Sequence, residues 1–271
     1  MLLFSFYDNI IIGDSMHILL LLAVIPSIII AFLVYLSDRK EKEPIGELVK
    51  AFLLGILAVI ITIFISLIFD ITSVDVTDIN LFELFIYTFI SVALVEELSK
   101  WLVGYILLRK NNNFNYMYDG IVYYSFIALG FATVENILYA LSSDLSTVLI
   151  RAVTTVPAHV FFGIACGYYF ALSIREKNKG NQQKKNKYLI LSIIMPIILH
   201  GFYDFCLLTG NYVFLMIFLV FVVSLYVISL SNARKMQRID HMLDDKDMHC
   251  RNCGKVLTTD ICSYCGHKNN D

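Results

Sequence analysis

The sequence is poor in charge and in residues that interrupt helices. Only 16% of its 271 residues are charged while 58% are hydrophobic, and it contains four prolines and one tryptophan. Soluble domains carry roughly 25% charged and 45–50% apolar residues, so this composition excludes an ordinary water-soluble domain. The net charge is −2 and no basic face survives as a separate domain, so no nucleic-acid partner is expected. No HExxH pattern occurs, so no single helix carries that zinc-protease signature. The N-terminus lacks a basic n-region and a small-residue cleavage site, so the first helix is expected to insert without removal. There is no convincing internal repeat, and no low-complexity tract beyond a basic loop at 175–187.

What the chain has in abundance is long apolar runs. Seven can be drawn: His17–Leu36, Val49–Phe69, Leu81–Leu108, Met117–Leu141, Thr147–Ile174, Tyr188–Leu208 and Tyr212–Leu230. Runs of about 20 residues match the hydrocarbon core of a bilayer. They are continuous rather than alternating, which implies helices and not barrel strands. The expected fold is therefore an all-α polytopic membrane protein, a bundle of about seven transmembrane helices. The third and fifth runs are over-long, so tilt or a kink is expected. Pro157 and Pro196 are natural kink positions in the fifth and sixth.

Positive charge predicts the orientation. Arg39, Lys40 and Lys42 follow the first run, Arg109 and Lys110 the third, Arg175 to Lys187 the fifth, and Arg234, Lys235 and Arg238 the seventh. Segments 1–16, 70–80, 142–146 and 209–211 contain no Lys or Arg. The alternation places the N-terminus outside and the C-terminus in the cytoplasm. The expected domains are a membrane domain at 1–231, a charged linker at 232–248 and a small appendage at 249–271.

Several ionisable residues lie inside the runs, where each costs about 2.5–3.5 kcal/mol on insertion scales and so implies a function. The third run carries Glu96, Glu97 and Lys100, the fourth Glu135, the fifth Arg151 and His159, the sixth His200 and Asp204. Glu96 and Lys100 are four apart and share a helix face, as do His200 and Asp204. Arg151, Thr155 and His159 form a stripe at the same interval. At about 1.5 Å per residue, Glu96 and His159 lie about 20 Å below the outer ends of their helices, and Glu135, His200 and Asp204 about 5–12 Å below theirs. Tilt lets all five meet between the midplane and the outer leaflet.

At these residues the sequence resembles the PrsW family of intramembrane proteases, within the wider group that holds the CAAX-processing proteases and bacteriocin-immunity-type peptidases. The family's EExxK motif matches Glu96, Glu97 and Lys100, its FxxxE motif Phe131 and Glu135, and its HxxxD motif His200 and Asp204. His159 falls where the wider group has another motif histidine. The resemblance covers about residues 15–230. It implies an integral protein of the bacterial cell membrane that cleaves a membrane-anchored protein, as in site-one cutting of an anti-sigma factor.

The residues support a mechanism beside the resemblance. Hydrolysis needs an activated water and a stabilised oxyanion. Glu96 is the expected base, with Glu97 orienting it or the water and Lys100 offsetting the paired negative charge. His159 and His200 would hold the water or donate to the oxyanion, and Asp204 would orient His200. Glu135 is either a second acid or the partner of Arg151, and Asn136 is an oxyanion donor or a structural amide. Two His and a Glu also make a zinc site in other folds. The ligands here would come from different helices, so metal-free glutamyl chemistry is preferred, with Zn2+ as the alternative. Intramembrane acids and histidines also build proton relays. A proton-coupled transporter is therefore a competing reading, as is a non-catalytic sensor or scaffold. The bland reading of Glu96 with Lys100, and of Glu135 with Arg151, is a buried ion pair.

The tail holds Cys250, Cys253, Cys262 and Cys265 as two CxxC-Gly knuckles. That spacing predicts a closed four-thiolate structural zinc site, a small cytoplasmic zinc ribbon. Reduced thiols fit the cytoplasm. Docking a cytoplasmic partner and gating the membrane domain are both open roles for the ribbon. Cys166 and Cys206 lie in apolar runs and read as packing residues.

Overall fold

The computed structural model describes residues 14–71, 74–238, 243, 252–253, 262 and 264–268. Among them nine α-helices follow one another: α1 (Asp14–Ser37), α2 (Ile45–Ile68), α3 (Leu81–Ile86), α4 (Leu94–Leu108), α5 (Met117–Ser142), α6 (Leu145–Val153), α7 (Thr155–Asn178), α8 (Gln182–Leu208) and α9 (Tyr212–Arg238). A π-helical segment, Tyr87–Ala93, joins α3 to α4. No strand occurs among the described residues.

Among the described residues six helices are long and apolar enough to cross a membrane: Met16–Ser37, Ile45–Ile68, Met117–Ser142, Leu145–Asn178, Gln182–Leu208 and Tyr212–Ser231. The remaining predicted span, Leu81–Leu108, is helical throughout but carries Glu96, Glu97 and Lys100, which remove it from a purely apolar set. The protein is thus an all-α polytopic membrane protein. Its outward faces are apolar: Ile18, Leu21, Phe32, Ile60, Phe64, Met216 and Val220 are all exposed. Only a lipid environment satisfies such a surface.

Helix α5 is the axis of the bundle, buried along most of its length. Small residues let neighbours reach its backbone. A Cβ at Gly130 would lie 2.0 Å from the Phe52 carbonyl oxygen, and one at Gly167 2.1 Å from that of Gly120. These positions fix the crossings of α2 and α7 on α5, as small residues do in membrane bundles.

Helix starts follow local chemistry. Asn80 caps α3 in a capping box with Glu83, Asp144 caps α6, and Asn181 caps α8. Asp119 accepts from the backbone N–H groups of Asn115 (2.9 Å) and Tyr116 (2.6 Å), so it organises the start of α5.

The two over-long runs are relieved in different ways. The third contains the π segment, whose wider turn shifts the facing of the residues that follow. The fifth breaks into α6 and α7 at Thr154, before Pro157 rather than at it. Proline has no N–H for the carbonyl four residues back, here that of Val153. The Tyr226 hydroxyl donates to this freed oxygen at 2.8 Å. Pro196 lies inside α8, which continues through it unbroken.

Candidate functional site

The predicted residues converge. Glu96, Glu97 and Lys100 sit on α4 directly after the π segment, Glu135 on α5, Arg151 on α6, His159 on α7, and His200 with Asp204 on α8. Phe89 of the π segment packs on Gly201, where an added Cβ would lie 2.6 Å from its ring. The π segment therefore brings α8, and with it His200, against the start of α4.

Lys100 is the hub. Its ammonium donates to Glu97 Oε1 at 2.7 Å, His159 Nδ1 at 3.1 Å and Glu96 Oε2 at 3.3 Å. Three donors thus meet three acceptors, and the Phe131 ring centroid lies 3.9 Å from the nitrogen. The expected i,i+4 pair with Glu96 is present, but the closer partner is Glu97 at i,i+3.

Both imidazoles are held by a carboxylate on one nitrogen and present the other to this hub. His159 Nε2 lies 2.8 Å from Glu135 Oε2, while its Nδ1 faces Lys100. Lysine has no acceptor, so His159 Nδ1 carries the lone pair and Nε2–H donates to Glu135. His200 Nε2 lies 3.2 Å from Asp204 Oδ2 and its Nδ1 2.7 Å from Glu97 Oε1. Phe162 stacks on His200 with centroids 5.0 Å apart and an angle of 17°. A carboxylate behind each imidazole is the arrangement that fixes tautomer and ring orientation in metal and proton-transfer sites alike.

Glu135 is fully engaged. Arg151 Nη2 lies 2.7 Å from its Oε1 while His159 takes Oε2. Arg151 Nε donates to Asn136 Oδ1 at 3.0 Å, and its guanidinium stacks 3.7 Å from the Tyr139 ring centroid. Both oxygens of Glu135 are thus taken, one by Arg151 and one by His159. Thr155, the middle of the predicted stripe, turns to Tyr203 at 3.1 Å instead, because the break at Thr154 resets the helical register. Sequence reasoning missed Phe162, whose only signal was its i,i+3 spacing from His159.

Glu96 is the least committed of the acids around Lys100. Its side chain is 14% exposed against 3% for Glu97, and His200 Nδ1 is 3.9 Å away. Four carboxylates here face only two permanent cations, Lys100 and Arg151. Two negative charges remain to be balanced by protons or by a divalent ion, since uncompensated charge is strongly penalised in low dielectric. One ligand atom from each of Glu96, Glu97, His159 and His200 lies within 4.8 Å of the others. These residues fit a zinc-type ion in donor chemistry, and Lys100 already shows that the position among them holds a cation.

Residues 43–229 match the model of the PrsW family intramembrane metalloproteases. The chain belongs to the PrsW family. A relative named Protease PrsW from Clostridioides difficile is 37% identical over 80% of this chain and 90% of its own length. Proteins of the same name from Oceanobacillus iheyensis and Bacillus subtilis are 37% and 31% identical over 78% and 81% of this chain, covering 93% and 95% of theirs. No solved structure matches. This PrsW-family chain is an intramembrane protease, which sets aside the transporter and scaffold readings.

The tail lies beyond the residues matched by the PrsW family. Cys253, Cys262 and Cys265 have ligand atoms within 4.8 Å of one another, and the Cys253 and Cys262 sulfurs are 3.5 Å apart. The edge of a zinc–thiolate tetrahedron with bonds of about 2.3 Å is close to this separation. Backbone N–H groups of Tyr264 and Cys265 hold the Cys262 thiol below its ordinary value, which favours the metal-binding thiolate. Cys250, the fourth predicted ligand, lies outside the described residues, as does most of the linker after Arg238. The cluster suggests the zinc ribbon.

Proposed function

We propose that this layer hydrolyses a peptide bond in the transmembrane or juxtamembrane segment of a membrane-anchored protein, with Glu96 as the base that activates water. The observation that carries the reading is the pair of carboxylate-backed imidazoles converging on the Glu96–Glu97–Lys100 hub. Glu96 Oε2 has one long contact to Lys100 and is less enclosed than Glu97, so it is free to take a proton from water. The water oxygen then bonds to the carbonyl carbon. His200 Nδ1–H and the Lys100 ammonium are the donors available to the oxyanion that forms. Collapse breaks the C–N bond, and the proton held by Glu96 passes to the departing nitrogen. Glu97 stays ionised between Lys100 and His200 and positions both. Glu135 and Asp204 keep His159 and His200 in orientation. General base catalysis of this kind is worth about 10²–10⁴-fold.

The unbalanced charge of the layer supports a second reading, in which a divalent ion completes it. Glu96, Glu97, His159 Nδ1 and His200 Nδ1 would hold the ion. Bound there, it would polarise the scissile carbonyl and acidify water. Glu135 and Asp204 would keep their places behind His159 and His200 in that case.

Charge alternation supports placing the layer toward the outer leaflet with the C-terminus in the cytoplasm. Membership of a family of intramembrane proteases supports a membrane-anchored protein as the substrate, an anti-sigma factor being one such protein.

The test is cleavage of a membrane-anchored reporter by Glu96→Gln and His200→Ala variants that express and insert normally. Both should lose cleavage, and normal cleavage by both would overturn the assignment. Strong chelation of a full chain carrying Cys253→Ser and Cys262→Ser separates the two chemistries. Unchanged activity supports the glutamyl route, and loss restored by Zn2+ supports the metal.

A further inference from the structure

A second buried acidic group lies at the other end of α5, and neither the catalytic layer nor the tail uses it. Asp38 follows α1, Glu43 precedes α2, and Asp119 lies in the first turn of α5. They are 2%, 3% and 1% exposed, and one carboxylate oxygen from each lies within 4.8 Å of the other two. About 24 Å of helix separates Asp119 from Glu135, at about 1.5 Å per residue.

None of the three has an ion-pair partner among the described residues. Lys42, whose charge acts on Asp38, turns its ammonium to the Tyr35 carbonyl and ring. Hydrogen bonds cover only part of the oxygens. The Tyr123 hydroxyl donates to Glu43, the Glu43 and Asp119 carboxyls hydrogen-bond each other, the Glu43 N–H reaches the Asp38 carboxylate, and Asn115 and Tyr116 N–H groups donate to Asp119 Oδ2. Asp38 Oδ2 is buried with no hydrogen-bond partner at all. A carboxylate oxygen in that condition costs several kcal/mol in general, so the fold retains it against a penalty.

We propose that Asp38, Glu43 and Asp119 form a binding site for a hard divalent cation of the Mg2+ or Ca2+ class. The donor set is all oxygen, without imidazole or thiolate, which selects hard ions over zinc. Asp38 Oδ2 supplies an open ligand, and three converging carboxylates supply the charge that a divalent ion neutralises. The ion ties the end of α1 and the start of α2 to the first turn of α5. Since α5 carries Glu135, the site anchors one end of the helix whose other end supports His159.

The experiment uses the purified full chain in nanodiscs, stripped by chelator and titrated with Mn2+ as the spectroscopic probe. The wild-type chain and the Glu96→Gln/His200→Ala variant should each bind about one Mn2+ that Mg2+ or Ca2+ displaces. Asp38→Asn, which preserves shape, should weaken that binding by about tenfold or more. Mg2+ should also raise the thermal midpoint of the wild type and not that of Asp38→Asn. If Asp38→Asn folds poorly, Mn2+ binding and its displacement in the wild type and in Glu96→Gln/His200→Ala still decide the matter. Absence of displaceable Mn2+, or Mn2+ lost with Glu96→Gln/His200→Ala and kept by Asp38→Asn, overturns it. So does stabilisation of the wild type by acidification alone, with no response to Mg2+, because shared protons would then hold the cluster.

Discussion

Replacing Arg151 by Met would leave Glu135 buried with only His159 as partner. The guanidinium and carboxylate are 2.7 Å apart with 14% and 16% of their side chains exposed. Coulomb's law at an effective dielectric of about 20 gives about 6 kcal/mol of attraction at that distance. Desolvation offsets roughly half, which leaves about 3 kcal/mol lost when one partner is removed. Arg151→Met and Glu135→Gln should each lower unfolding stability by about that amount, near a 150-fold change in the equilibrium. The double variant should be less damaged than the sum, with a coupling of about 2 kcal/mol, because it strands no charge. The amide carbonyl that Glu135→Gln leaves in place can still accept from His159 Nε2–H, so reporter cleavage by the double variant should fall by only about 10–100-fold. Denaturant unfolding in micelles and reporter cleavage would be measured on all four proteins. Additive losses would refute the pairing argument. Glu135→Gln with unchanged stability but no cleavage would make Glu135 a reacting acid instead of a support.

Gly130→Leu should abolish folded protein or lower stability by about 3 kcal/mol or more, because the side chain must enter the Phe52 backbone; thermal unfolding checks this. Tyr226→Phe orphans the Val153 carbonyl at the α6–α7 break and should cost about 1–2 kcal/mol while leaving expression intact. Cys262→Ser should remove the zinc of the tail, read by metal analysis, while reporter cleavage persists if the ribbon is purely structural. Thr77→Cys should react with an impermeant thiol reagent on intact cells; reaction only after lysis would invert the orientation.

The extent to which the site was legible varied with sequence distance. Glu96 with Lys100 and His200 with Asp204 were readable because four residues make nearly one helical turn, and both contacts are present. The Glu135–Arg151 pair was readable only as an alternative, since the two lie on different helices. The stripe Arg151–Thr155–His159 failed as a stripe because Pro157 frees the Val153 carbonyl and the helix restarts. Yet Arg151 and His159 still meet, on the two oxygens of Glu135. Asp119 lies in the first turn of α5. Its meeting with Asp38 and Glu43 was invisible, because no period links the end of one helix to the first turn of another.

The sequence by itself determined that the chain lives in a bilayer, where its spans lie, and that acids and imidazoles sit inside them. Those are matters of run length, helical spacing and desolvation cost, all local. Only the tertiary structure decided which atoms meet. It placed Lys100 at the centre of the acids, put a carboxylate behind each imidazole, and left Glu96 less enclosed than Glu97. The physical reason is that each of these contacts joins helices whose rotation and depth are set by glycine crossings, a π turn and a proline break. Small changes in packing at those points decide which side chains can reach one another.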